Sequence, residues 1–82
     1  MDDTTIPLVW GDQDATVTVP TEYAERVRAL VPYCAWGLDF DRRVSQTLSD
    51  IVRKFRQGYT TLAVADLVWA EKTVASVKAA RS

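Results

Sequence analysis

The sequence predicts a small α+β fold: an N-terminal two-stranded antiparallel β-hairpin over about residues 5–19, packed on three α-helices at about residues 22–31, 41–57 and 61–80. Two observations predict it. Apolar residues alternate in steps of two as far as Val19, then recur in steps of three and four from Tyr23 onward. Three prolines and three glycines punctuate these segments, and no repeat or linker interrupts them.

In the first strand Ile6, Leu8 and Trp10 alternate with Pro7 and Val9. In the second, Ala15, Val17 and Val19 alternate with Thr16 and Thr18. A four-residue loop, Gly11-Asp12-Gln13-Asp14, sets Trp10 opposite Ala15, Leu8 opposite Val17 and Ile6 opposite Val19. Those six share one face. Pro7 has no N–H to donate, so its nitrogen is expected at the sheet edge.

Thr21 is the expected N-cap of the first helix, with Glu22 and Glu25 near its positive end. Tyr23, Val27, Leu30 and Val31 form its apolar stripe, and Pro32 should end it at Val31. Residues 32–37 then read as one extra turn, closed by Gly37. Asp39 or Asp41 caps the second helix, whose stripe is Val44, Leu48, Ile51, Val52 and Phe55. Gly58 supplies its left-handed terminus. The last helix starts at Thr60 or Thr61; with Thr60 as its cap, Tyr59 and Val64 would form a hydrophobic staple. Its first half, with Leu62, Val64, Leu67, Val68 and Trp69, is apolar nearly all round and is expected to be the most buried part. Trp10 and Trp69 are read as core residues. The seam Ala63, Leu67, Ala70, Val74 and Val77 is expected to pack on the second helix, with a second copy as the alternative.

Residues 1–82 are read as one domain, which at this length buries roughly 60–65% of its unfolded surface. The chain has one cysteine, Cys34, and no histidine. An internal disulfide is therefore impossible and a zinc site has few ligands, so no metal and no cofactor are expected. Packing or oligomerisation must supply the stability. The acidic start at residues 1–5 lacks the pattern of a signal peptide, and no apolar run has membrane-spanning length. With a lone thiol, this leads to the expectation of a cytoplasmic protein without a membrane partner.

An enzyme is not expected. Most general acid–base and nucleophile-activating arrangements use histidine. Asp39 and Asp41 sit where a helix wants a cap, and Asp12 and Asp14 fit turn chemistry better than a calcium loop. The glycines are too scattered for a phosphate loop. Cys34, between Tyr33 and Trp36, reads as a buried, inert thiol; a turn opened by Pro32 is the alternative that would activate it.

Protein–protein interaction is the leading reading, with another protein or a second copy of the chain as partner. Three Trp and three Tyr are many for so small a core, and hairpin edges invite strand addition. Trp36, the strand edge at Thr16 and Thr18, and Arg42, Arg53 and Arg56 are the candidate contacts. Charge is uneven: residues 1–25 hold six acids and no Lys or Arg, whereas residues 26–82 hold ten basic residues and five acids. Nucleic-acid binding is the less favoured alternative. It would use Arg42, Gln46, Ser49, Arg53 and Arg56, one face of the second helix.

The order of elements gives a further reading. The hairpin is followed by Val19-Pro20-Thr21-Glu22-Tyr23-Ala24, then Ile51-Val52-Arg53-Lys54-Phe55-Arg56-Gln57-Gly58, then Ala65-Asp66-Leu67-Val68-Trp69-Ala70. Over most of the chain this pattern resembles small tail-assembly chaperone proteins of phages. Residues 32–39 have no counterpart in it. The resemblance implies a tail-assembly chaperone-like protein; a small phage-type accessory or inhibitor protein that binds a host or viral protein is a separate expectation under the protein-binding reading.

Overall fold

The computed structural model describes residues 2–10, 13–34 and 39–81. Its elements are β1 (Asp3–Trp10), β2 (Gln13–Pro20), α1 (Thr21–Arg28), a 3-10 turn (Val31–Tyr33), α2 (Arg42–Arg56) and α3 (Thr60–Arg81). The α+β architecture is the one the sequence predicts.

The hairpin register differs from the expected one by two residues. Ile6 pairs with Val17, Leu8 with Ala15 and Trp10 with Gln13. Gln13 and Asp14 therefore belong to β2, and two residues connect the strands instead of four. A shift of two leaves the inward and outward sets unchanged for the described side chains, whereas a shift of one would invert them. Ile6 and Val19 are accordingly buried, and Thr5, Pro7, Thr16 and Thr18 are exposed. The Thr21 amide donates to the Asp2 carbonyl at 3.1 Å, which extends the ladder and marks every second pair as hydrogen-bonded. Pro7, opposite Thr16, falls on a non-bonded pair, so its nitrogen faces the edge as expected.

Pro20, not Thr21, occupies the N-cap of α1. Thr21 is the first helical residue, and its hydroxyl lies 2.9 Å from that of Thr4, tying α1 to β1. The helix stops at Arg28, earlier than predicted. Extension would need an N–H at position 32 for the Arg28 carbonyl, and Pro32 has none. The chain tightens instead: Leu30 donates to Val27, Tyr33 to Leu30 and Cys34 to Val31. Leu30, Tyr33 and Cys34 remain buried.

Asp41 settles the choice of cap for α2. Its Oδ1 accepts from the amides of Arg43 (2.9 Å) and Val44 (3.4 Å). Asp39 instead accepts from Arg81 at 3.0 Å, at the far end of α3. At the other end of α2, Gly58 donates to Phe55 and Tyr59 to Lys54, a Schellman closure with Gly58 at φ 87°. The Tyr59 carbonyl then accepts from Ala63, so Tyr59 holds the cap position of α3 and Thr60 lies inside the helix.

Val44, Leu48, Ile51 and Val52 bury one side of α2. They meet β2 and the 3-10 turn on one hand and α3 on the other. Phe55 stacks on Tyr23 of α1, with centroids 5.4 Å apart. From α3, the expected seam faces α2: Ala63, Leu67, Ala70 and Val74 are buried and Val77 half-buried. The rest of that expectation fails. Leu62, Val68 and Trp69 are exposed, so α3 is buried on one side only, and Trp69 is not a core residue. The molecule measures 39 × 30 × 18 Å, and in a slab this thin α3 has α2 as its main neighbour.

Ion pairs fasten the layers. Arg26 of α1 grips Glu71 of α3 through two hydrogen bonds, and Lys54 of α2 pairs with Asp66 of α3. Glu71 is held below the usual carboxylate value of 4.5, chiefly by its hydrogen bond to Arg26. Asp41 is held below 3.8, first by Arg43 and then by the backbone amides it caps.

Two predictions follow the cap and the clamp. Asp41→Ala removes the N-cap, at a cost of about 1 kcal/mol. For a domain of this size that is a fall in Tm of roughly 4–8 °C, measurable by circular dichroism; an unchanged Tm would mean the cap is dispensable. Glu71 takes up its proton at lower pH in the folded chain than in the unfolded one, so its contribution is complete above about pH 4.5 and is lost as pH falls through the depressed value. Glu71→Gln should therefore flatten the acid limb of a Tm–pH profile. Because both side chains are more than a third exposed, a double-mutant cycle with Arg26→Ala should return only about 0.2–1 kcal/mol.

Candidate binding site

Steps of four, four and three residues place Ser45, Ser49, Arg53 and Arg56 along one flank of α2, beside the buried Leu48 and Val52. Val17 of β2 and Cys34, at the end of the 3-10 turn, face that flank. Together these residues line a groove of about 230 Å³. Its floor is Val17, Cys34, Leu48 and Val52, and its rim carries two hydroxyls and two guanidinium groups. Arg53 donates to Asp50 at 2.8 Å. Arg56 forms no ion pair among the described residues, and no carboxylate lines the groove.

Cys34 is a passive part of the floor. Its Sγ–H donates to the Leu30 carbonyl at 3.3 Å, and burial pushes the thiol up to about 11. A thiolate is therefore scarce at neutral pH, and the structure supports the inert reading over the activated one.

Arg56 also borders a second groove of about 280 Å³, with Asp3, Thr18, Val19, Pro20 and Phe55. Of the residues singled out in the sequence, the structure thus joins Arg53 to Arg56 and Arg56 to Thr18. Thr16 is exposed on the outer face of β2 but lines neither groove. Arg42 is exposed at the opposite end of α2, roughly 21 Å from Arg56 by helical rise. Trp36 lies outside the described residues, as does the side chain of Trp10.

Sequence reasoning missed a second surface. Phe40, Tyr59, Leu62, Val68 and Trp69 are all exposed large hydrophobic residues. Leu62 and Trp69, seven residues apart, lie on one flank of α3. Trp69 borders a hollow with Thr47, Asp50, Lys54 and Asp66. The signal was present in the all-round apolar first half of α3, which has more apolar positions than one neighbouring helix can cover.

Among the described residues, no group of His, Cys, Asp or Glu is arranged to hold a metal, and no helix is long and apolar enough to cross a membrane. No protein-family model matches the chain, and no curated protein or solved structure matches it significantly.

The state of Cys34 is directly testable. A rise from 9.0 to about 11 leaves roughly 100-fold less thiolate at neutral pH. Iodoacetamide should therefore label the native protein at least that much more slowly than the urea-unfolded chain. Equal rates would mean an open, ionisable thiol.

Proposed function

We propose that this chain is a non-catalytic protein-binding module that presents the outer flank of α3 to another protein or to a second copy of itself. The observation that carries this reading is the exposure of Leu62 (54%) and Trp69 (48%), with Tyr59 (56%) at the cap, on a helix whose inward stripe is already covered by α2. Fully burying such a side chain is worth about 1.5–3 kcal/mol, and within this fold that gain is only partly taken. Trp and Tyr are also the residues on which interfaces concentrate their binding energy. A small phage-type accessory protein, acting on a viral or host protein, is one setting for this reading; the order of elements favours a tail-assembly chaperone-like protein.

Nucleic-acid binding is the second reading, favoured by the exposure of Arg42, Arg53 and Arg56 on α2. Against it, Arg42 stands far from the other two.

Trp69→Ala separates these readings. Self-association followed by analytical ultracentrifugation, or capture of an identified partner, should weaken by at least about tenfold. Tm should fall by no more than a few degrees. A large loss of Tm with unchanged association would place Trp69 in the fold and sink the α3 surface. Salt-sensitive binding of a labelled duplex, lost with Arg53→Ala, would favour the second reading.

A further inference from the structure

We propose that the groove between α2 and β2 binds an acidic peptide segment of a partner protein, anchored by an apolar side chain. This site is separate from the α3 flank and does not depend on it. Three observations point to this occupant.

The first is size. At about 230 Å³ the groove is smaller than the roughly 300–1,000 Å³ of small-molecule and cofactor pockets, and suits a side chain delivered by a peptide. The second is its layered chemistry. An aliphatic floor of Val17, Leu48 and Val52 accepts an apolar anchor, while Ser49 at the rim is placed to hydrogen-bond a peptide group.

The third is charge. The five acids beyond residue 25 are all engaged: Asp39 with Arg81, Asp41 with Arg43, Asp50 with Arg53, Asp66 with Lys54 and Glu71 with Arg26. Asp3 shares the neighbouring groove with Arg56 but forms no ion pair with it. Arg56 is thus left with a fork of donors suited to a carboxylate from outside. A duplex, held through its phosphates, would leave the apolar floor unused.

The test is fluorescence anisotropy with labelled tetrapeptides: an acidic one with a leucine anchor, the same peptide with serine for leucine, and a basic one with leucine. A labelled DNA duplex is the fourth probe. The acidic leucine peptide should bind, and each of the other two peptides should bind at least about tenfold more weakly. Arg56→Glu should cost a further factor of about ten or more, because it places a carboxylate against the ligand's own. Ser49→Trp, at an exposed helix position, should fill the groove and remove binding while Tm is kept. Arg42→Ala and Trp69→Ala, both outside the groove, should change the peptide affinity less than twofold.

No binding of the acidic leucine peptide, or binding unaffected by Ser49→Trp, would overturn the proposal. So would tighter binding of the duplex with equal losses from Arg42→Ala and Arg56→Glu, the pattern of a phosphate surface. Trp69→Ala keeps the two readings apart: failure of the α3 interface leaves the peptide titration unchanged, and failure of the groove leaves the α3 association unchanged.

Discussion

The stripe Val44–Leu48–Ile51–Val52 of α2 is the contact on which both halves of the molecule converge. The hairpin and 3-10 turn press on it from one side, and α3 from the other. With neither a disulfide nor a metal site among the described residues, this shared stripe does the work of a staple. Each layer on its own would be unstable. A two-stranded hairpin needs a surface to cover its apolar face, and an isolated helix gains most of its stability from packing. Ile51 is fully buried because it lies where the layers meet.

How legible this was depends on the period of each signal. The hairpin's inward face followed from alternation alone. Its register did not, because a two-residue and a four-residue connection place the same residues inside. For α2, a stripe at helical spacing gave the buried set directly, and the C-terminal Gly58 marked the turn. For α1, the apolar pattern ran past the true end of the helix, since Leu30 and Val31 are carried inward by a tighter turn instead of a continuing α-helix. For α3, apolar composition was a poor guide to burial. Composition describes the helix, whereas burial depends on how many neighbours the fold supplies.

The candidate sites were less legible for the same kind of reason. Arg53 and Arg56 stood out as basic residues near a helix end, yet the groove they rim depends on Val17 and Cys34, which no local pattern connects to them. Only the fold brings those four together. The exposed flank of α3 was hidden by the assumption that large apolar residues go inside. In a slab 18 Å thick that assumption fails, because there is little interior to receive them.

Tyr59 serves two helices at once. Its amide closes the Schellman end of α2, and its carbonyl opens the ladder of α3. Only Gln57, Gly58 and Tyr59 lie between the helices, and all three amides are hydrogen-bonded back into α2. With the packed seam and the Lys54–Asp66 and Asp39–Arg81 pairs added, α2 and α3 form one antiparallel bracket. The hairpin, held to that bracket by side-chain packing and by the short run of α1 and the 3-10 turn, is the softer member. A rocking of the hairpin against the bracket is the motion that this arrangement permits. That motion widens or narrows the groove that Val17 and α2 share, while the α3 surface moves as a rigid plate.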